Sequence, residues 1–284
     1  MTRVCAMRSR RAPLFGIALL LGLSAFVLIG PLIWQVAPAQ MDLLARNQGA
    51  TWAHPLGTDQ LGRDLMARLM VGGRVSLAVG FVAMLLATGV GTAIGVASGM
   101  SRRLDGPLMR LTDLFLALPL LPLLLIAAAL FRAPLAARFG PEAGLFALIT
   151  IAIGATSWMG TARILRGEVR ALMQRDYIRA ARSIGTRAPQ MIWRHILPAI
   201  AAPLGVSAAL GMASAILMES ALSFLGFGFA PDMPSWGRLL FEGTPNLGAY
   251  PGRALWPGAL ITLAALGATS LGDALRDLAD PRKA

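Results

Sequence analysis

Few side chains in this sequence have the chemistry that an active site or a metal centre needs. The 284 residues include two histidines, His54 and His195, and one cysteine, Cys5, so multi-histidine sites, thiolate clusters and an intramolecular disulfide are excluded. The one lysine, Lys283, is the penultimate residue, so we expect no G-x-x-x-x-G-K-[ST] phosphate loop. We therefore predict no catalytic residue, no metal site and no cofactor bound by this chain.

Two acidic residues lie in or beside long apolar runs, where an ionised carboxylate is costly unless it is paired or hydrated. Asp113 follows Arg110 by three residues, a spacing that predicts an ion pair on one helix. Glu219 stands inside an apolar run, where it could face a pore, meet a partner subunit or hydrogen-bond to a neighbouring helix. Ser220 and Ser223 are further candidates for the pore or the subunit interface.

Composition determines the class of fold that must position these groups. The sequence is 56% hydrophobic and 14% charged, with a mean hydropathy of +0.65, which is typical of an integral membrane protein. A helix of about 20 apolar residues crosses a bilayer. We therefore predict an all-α membrane protein with six transmembrane helices, at residues 14–36, 75–99, 111–131, 143–160, 204–227 and 255–271. Small residues within the second run favour close helix packing: Gly80, Gly89, Gly91, Gly95 and Gly99.

The distribution of cationic residues predicts the orientation. An N-terminus in the cytoplasm places 18 of the 26 cationic residues inside and eight outside, so we expect both termini to be cytoplasmic. This topology explains the net charge of +12 without a nucleic-acid partner. The first apolar run is longer than a signal-peptide core, so it is read as an uncleaved helix. Pro31, late in the run, is expected either to kink this helix or to mark its approach to the membrane interface.

Residues 163–202 carry eight arginines and form the largest predicted cytoplasmic loop. Gly185 supplies the left-handed backbone that ends a helix, Pro189 suits the first turn of a new one, and Pro198 is expected to end it. Each helix has an apolar stripe at helical spacing: Tyr177, Ile178, Ala181 and Ile184 in the first, and Met191, Ile192 and Ile196 in the second. The pattern predicts a shaped helix–turn–helix docking element.

A polar segment, residues 40–74, separates the first two apolar runs. Asp59 or Asp64 is expected to cap a short helix over residues 65–70. Turns are indicated by Pro55, Gly57 and Gly62.

Both loops resemble those of a known family. The cytoplasmic loop resembles the E-A-A-x3-G-x9-I-x-L-P motif of bacterial ABC-importer permeases. Arg179 and His195 depart from that motif, standing where it has Glu and Ile. The matching residues are Ala180, Ala181, Gly185, Leu197 and Pro198. Three further segments are similar to the C-type permease of the oligopeptide, dipeptide and nickel branch: residues 54–77, 219–240 and 271–282.

The resemblance implies a type I importer permease fold, in which the elbow after Gly185 is a coupling helix that docks on an ATPase subunit. The residues assigned to this coupling are Tyr177, Arg179, Ala180, Ala181, Gly185, Pro189, Ile192, His195, Leu197 and Pro198. Those assigned to the extracytoplasmic interface are His54, Gly57, Asp59, Gly62, Arg63, Asp64 and Trp236.

The implied partners are a homologous B-type permease, two ABC ATPase subunits that bind ATP and Mg²⁺, an extracytoplasmic solute-binding protein and the bacterial inner membrane. The predicted function is to form half of an ATP-driven import pathway for di- or oligopeptides, with nickel or another small solute as alternative cargo. The alternative mechanism is a stand-alone ion-coupled secondary transporter. We divide the chain into residues 1–74, comprising the tail, first helix and loop, and a five-helix permease core at residues 75–284.

Overall fold

The structure, a computed structural model, describes the backbone of residues 2–279 and the side chains of residues 15–278. The N-terminal arginines, Cys5, Arg282 and Lys283 lie outside these described side chains. The helices are α1 (Thr2–Leu28), α2 (Gly30–Ile33), α3 (Leu65–Met100), α4 (Arg102–Ala117), α5 (Leu120–Phe139), α6 (Pro141–Ala155), α7 (Met159–Leu172), α8 (Asp176–Ser183), α9 (Ala188–Met191), α10 (Leu197–Ala199), α11 (Ala201–Phe224), α12 (Trp236–Gly243) and α13 (Gly252–Ala279). A π-helical turn, Ile192–Ile196, joins α9 to α10.

The prediction of an all-α membrane protein is confirmed. Five helical stretches in the described chain are long and apolar enough to cross a membrane: Phe15–Ile33, α3, α5, α11 and Gly252–Leu278. α6 and α7 form a bent pair that meets at an angle of 41°, and the number of spans is six if this pair crosses as one. The break falls at residues 156–158, so the fourth predicted span is not one straight helix.

The third predicted span is misplaced. Residues 111–117 belong to α4, an amphipathic helix, and the membrane-length helix α5 begins only at Leu120. Leu118 has extended backbone angles in front of Pro119, as expected because the proline ring disfavours helical geometry at the preceding residue. The sequence is apolar on both sides of Pro119, so hydropathy alone does not reveal the boundary between α4 and α5.

The short helix predicted after the polar segment is the first part of a much longer one. α3 has 36 residues and is therefore about 54 Å long. Its N-cap is Asp64, whose carboxylate accepts a hydrogen bond from the backbone N–H of Ala67 at 2.7 Å. The division at residues 74 and 75 falls inside this helix.

The break predicted near Pro31 occurs at Ile29, between α1 and α2. Pro31 has no N–H to donate to the carbonyl of Val27, four residues earlier. The guanidinium of Arg74 takes that place, with Nε donating to the Val27 carbonyl at 3.0 Å. The proline thus leaves an acceptor free, and Arg74 uses it to bind α1 to α3.

α3 is the central helix, and it packs against α6, α7 and α11. Glycines at every fourth position bring it against α7. A Cβ atom on Gly91, Gly95 or Gly99 would lie 2.7–2.9 Å from atoms of α7 or of Trp158, at its N-cap. Gly80 approaches Ile216 of α11 in the same way, so four of the five predicted close contacts are confirmed, whereas Gly89 faces open space.

Asp113 does not form the predicted ion pair within its own helix; its salt-bridge partner is Arg163 on α7. A second carboxylate of α4, Asp105, lies on the same side and accepts two hydrogen bonds from Arg166, with Nη2 at 2.9 Å from Oδ2. Arg170 donates to the same Oδ2 at 2.6 Å. The hydrogen bond from Arg166 is the main reason that the pKa of Asp105 lies below its usual value. These contacts hold α4 against α7.

Candidate functional site

The segment that joins α7 to α11, residues 173–200, is called here the elbow segment. Its first helix, α8, ends at Ser183, and Gly185, with φ +82°, forms the turn that follows. The N–H of Gly185 donates to the Arg182 carbonyl at 2.9 Å, and the N–H of Thr186 donates to the Ala181 carbonyl at 3.1 Å. This pair of bonds is the Schellman arrangement, which requires a left-handed residue at this position. The predicted role of Gly185 in the turn is confirmed.

The second half of the elbow segment differs from the prediction. Pro189 does lie in the first turn of α9, but Pro198 lies inside the short helix α10, and the backbone leaves helical geometry at Ile200. Because Pro198 has no N–H and its ring crowds the preceding turn, the chain widens just before it. Leu197 donates to the carbonyl of Ile192, five residues earlier, in the π-helical turn.

A compact apolar core fixes the elbow segment to the membrane helices. Ile178, Ile196 and Ile200 are fully buried. They form one cluster with side chains of α3 and α7 and with other residues of the elbow: Val96, Leu165, Val169, Ala181 and Met191. The elbow segment is therefore attached to α3 and α7 along their ends and is directly continuous with α11.

Away from this core the elbow segment exposes large apolar side chains, which together are called here the exposed apolar face. Ile184 is 84% exposed, Trp193 75% and Tyr177 49%. The predicted stripe of α8 is thus divided, since Ile178 and Ala181 are buried while Tyr177 and Ile184 face outward. Sequence reasoning missed Trp193, although an aromatic residue outside the buried stripe of its helix was the available signal.

The structure brings the ten predicted coupling residues together in this one segment. Ala181 belongs to the buried core. Ile192, His195 and Leu197 are half-buried, and the His195 ring lies 6.4 Å from that of Tyr177 between centroids. The other predicted residues are exposed: Tyr177, Arg179, Ala180, Gly185, Pro189 and Pro198.

At the other end of α3, residues 34–64 form a folded segment called here the long loop. Asp64 is its centre. The Asp64 carboxylate lies 2.8 Å from Nδ1 of His54 and accepts from the indole N–H of Trp34 at 3.2 Å, besides capping α3. Three chain segments therefore converge on one buried carboxylate.

Asp59 organises a second group of contacts in the long loop. One oxygen accepts from the backbone N–H groups of Leu61 and Arg63, and the other accepts from the Arg63 and Arg68 guanidiniums at 2.6 and 2.8 Å. Arg68 also reaches Glu242 of α12 at 2.8 Å. The loop is thereby joined to a helix far away in sequence.

These contacts correct the predicted extracytoplasmic interface. Asp59, Arg63, Asp64 and Trp236 are each at most 5% exposed, so they hold this end of the molecule together and do not form its outer surface. Gly57 and Gly62 are loop turns with positive φ. The large apolar side chains that the long loop exposes most are Trp52 and Leu44, both of which are almost fully accessible to solvent.

Gly62→Ala should open the long loop. Gly62 has φ +74°, and a Cβ atom there would lie 1.7 Å from the carbonyl oxygen of Asp42. Strain of about 1–3 kcal/mol is expected, so trypsin should cleave after Arg46 about tenfold faster or more. Gly49→Ala, at a position with no atom within 4 Å of the added Cβ, is the control and should cleave at the wild-type rate. Equal rates for all three proteins would contradict the loop structure.

The pKa of Asp59 predicts an acid-sensitive loop. Burial alone would raise this pKa, but the backbone N–H groups of Arg63 and Leu61 and the Arg63 guanidinium outweigh burial and lower it. The ionised carboxylate therefore contributes stability that is complete above the ordinary value of about 4 and is lost as the pH falls through the lower folded value.

Asp59→Asn should accordingly lower the melting temperature of the detergent-solubilised chain at neutral pH, with the difference from wild type narrowing below about pH 4. Asp232→Asn, at an exposed carboxylate, is the control and should leave the curve unchanged. A difference that is constant from pH 7 to pH 3 would contradict the role of Asp59.

Glu219 lies on α11, and its side chain is fully buried within the chain. Ser223 donates to one carboxyl oxygen at 2.7 Å and Ser76 of α3 donates to the other at 2.9 Å. Ser76 in turn accepts from the backbone N–H of Trp236 at 3.1 Å. Of the three predicted alternatives, the hydrogen bond to a neighbouring helix is the one observed. Glu219 and Ser223 have no exposed surface with which to line a pore or contact a partner.

The side chains of these regions are suited to protein contacts and to holding helices together. Among the described residues, no group of three His, Cys, Asp or Glu side chains could hold a metal ion. The exposed elbow face offers apolar side chains on a fixed base, while the long loop and the Glu219 cluster hold helices together. The arrangement is that of a membrane helix bundle with an exposed apolar docking segment at one end.

Comparisons with known proteins agree with this arrangement. The chain matches the model of the binding-protein-dependent transport system inner membrane component over residues 87–284. A protein of Brucella suis biovar 1 (strain 1330) that is named as a candidate peptide permease is 37% identical over 96% of this chain and 87% of its own length. The dipeptide transport system permease protein DppC of Alkalihalophilus pseudofirmus is 35% identical, over 97% of this chain and 88% of its own.

The oligopeptide transport system permease protein OppC of Bacillus subtilis is 31% identical, over 97% of this chain and 87% of its own. The alignments therefore include the long loop, the elbow segment and every membrane-length helix. This chain belongs to the family of inner membrane components of binding-protein-dependent transport systems.

Proposed function

We propose that this chain forms half of the membrane pathway of an ATP-driven importer of di- or oligopeptides. The observation that carries the proposal is the exposed apolar face of the elbow segment, formed by Tyr177, Ile184 and Trp193 on a buried base. Such a face, held rigidly by α3 and α7, suits docking of a separate protein that moves them. The peptide cargo is inferred from the names of the related permeases.

The remaining parts of the assembly follow from this function. The elbow end faces the cytoplasm with both termini, in keeping with its excess of arginine. Two ABC ATPases dock there, a homologous permease supplies the other half of the pathway, and a solute-binding protein delivers cargo at the long-loop end. ATP and Mg²⁺ bind only to the ATPases. Force applied to the elbow segment passes directly into α11, which continues from it.

Co-purification tests the docking face. The wild-type chain, expressed with its partner subunits, should bring down an ATPase in stoichiometric amounts. Ile184→Glu combined with Trp193→Ala should reduce recovery of the ATPase about tenfold or more, because both side chains leave water on docking. Leu44→Glu combined with Trp52→Ala, at the other end of the molecule, is the matched control and should retain the ATPase. Full recovery with the elbow variant would contradict the proposal.

Reconstitution tests the energy source and the cargo. Liposomes that contain the complete assembly should accumulate a radiolabelled dipeptide when ATP and the binding protein are supplied, and nickel serves as the alternative cargo. Uptake by this chain alone, driven by a proton or sodium gradient, would instead support a secondary carrier.

A further inference from the structure

A cavity of about 650 Å³ at the elbow end is lined by four arginines, called here the arginine cavity. Arg102 begins α4, Arg170 lies near the end of α7, and Arg179 and Arg182 lie on α8. Three separate elements thus contribute arginines to the wall of one space. The exposed apolar face does not account for this convergence, since Tyr177, Ile184 and Trp193 do not line the cavity.

Most of this positive charge has no counter-charge within the described chain. Arg170 is paired with Asp105 at 2.6 Å, but Arg102, Arg179 and Arg182 have no carboxylate within 4 Å among the described residues. Like charges that share a cavity repel one another, and the repulsion grows as water is excluded. The positive-inside rule explains why arginines are frequent at this end of the molecule. It does not explain why four of them line one cavity.

The ends of the helices place the cavity at the level of lipid headgroups. Gly99 and Met100, the last two residues of the membrane helix α3, contribute to its wall. α4 follows directly and exposes Leu104, Leu111 and Leu114. A helix that combines basic residues with exposed leucines lies in a membrane interface, with its apolar side chains toward the lipid. The cavity therefore opens beside the leaflet at the elbow end.

We propose that the arginine cavity binds the phosphate group of an anionic phospholipid in this leaflet. Guanidinium groups match phosphate oxygens in charge and hydrogen-bonding geometry, and several can share one phosphate. A bound headgroup would neutralise the three unpaired arginines and join α4 to α8. The site does not depend on which solute the transporter carries. It shares Arg179 with the predicted coupling residues but none of the exposed apolar side chains Tyr177, Ile184 and Trp193.

Native mass spectrometry of the full-length chain, titrated with phosphatidylglycerol or phosphatidylcholine, tests this proposal. Wild type should retain phosphatidylglycerol in preference to phosphatidylcholine. Arg102→Ala combined with Arg182→Ala should weaken phosphatidylglycerol binding about tenfold or more. The matched control is Arg175→Ala with Arg187→Ala, which removes two exposed arginines of the elbow segment that do not line the cavity. It should change binding less than about threefold.

Several results would overturn the proposal. Equal losses in the two double variants would show a general surface-charge effect, and equal binding of both lipids would remove the role of net charge. Competition by a few millimolar inorganic phosphate would assign the cavity to a soluble anion. Unchanged lipid binding with lost ATPase recovery would assign it to an acidic surface of the ATPase. The single variants Arg102→Gln and Arg182→Gln repeat the test if the double variant does not fold.

Discussion

Gly185→Pro should reduce ATP-driven import by the reconstituted transporter about tenfold or more, while the chain still inserts into the membrane. Gly185 has φ +82°, whereas proline is held near −65° and has no N–H to donate to the Arg182 carbonyl. The turn between α8 and α9 would have to adopt another path, at a cost of about 1–3 kcal/mol. The exposed face of the elbow segment would then no longer keep its shape under load.

Two matched variants separate backbone geometry from side-chain bulk at this turn. A Cβ atom on Gly185 would meet no atom within 4 Å, so added volume alone is tolerated. Gly185→Asn should therefore keep most of the import rate, because asparagine adopts left-handed backbone angles more readily than other residues. Gly160→Ala, in the helical part of α7 and also facing open space, should be neutral.

The measurements are the rate of import, the rate of ATP hydrolysis and the amount of chain in the membrane fraction. Loss of import with hydrolysis retained would show that the elbow segment transmits force. Normal import by Gly185→Pro would contradict the coupling role of this turn. Loss of the chain from the membrane fraction would instead assign Gly185 to folding.

The sequence predicted best those features whose cause is local. The turn at Gly185 follows from one backbone angle, and the break near Pro31 follows from one missing N–H group. Five membrane-length helices and one bent pair were also anticipated as spans, because each requires only a run of apolar residues. The boundary at Pro119 was missed, because a hydropathy average does not include the effect of a proline on the backbone of the preceding residue.

Features that depend on distant residues were not predicted. Glu242 meets Arg68 from 174 positions away in the sequence, and Asp105 meets Arg166 from 61. No local pattern selects such partners among 26 cationic residues. A charged residue in a loop is therefore not necessarily exposed. Arg63 and Asp64, which were predicted to lie at a binding surface, are buried.

Exposed aromatic residues were also not predicted, for the same reason that buried charged residues were not. Trp193 and Trp52 were assigned no role from the sequence, and both side chains are exposed in the structure. Burial depends on which faces of the elbow segment and the long loop pack against the bundle, and only the tertiary structure determines this. The docking face thus became visible only after the buried side chains had been assigned.

Glu219→Leu should lower the melting temperature of the purified chain by about 5 °C or more. The leucine would leave the hydroxyls of Ser76 and Ser223 without their acceptor inside the bundle, which costs about 2–4 kcal/mol. Glu219→Gln keeps the size and a carbonyl acceptor, so its effect should be less than half as large. If Glu219 lined the pathway, both variants would alter import and leave the melting temperature unchanged.

A double-mutant cycle shows whether Glu219 acts through α3. Ser76→Ala removes the hydroxyl that joins the carboxyl to the Trp236 backbone, so its effect should largely disappear in a Glu219→Leu background, with a coupling of about 1 kcal/mol or more. Ser98→Ala, on the same helix about 33 Å away, bonds only within α3 and should be additive with Glu219→Leu. Coupling at Ser76 with additivity at Ser98 would establish that this carboxyl fastens α11 to α3 and α12. Since α11 continues from the elbow segment, the same contact would carry its movement to the long-loop end.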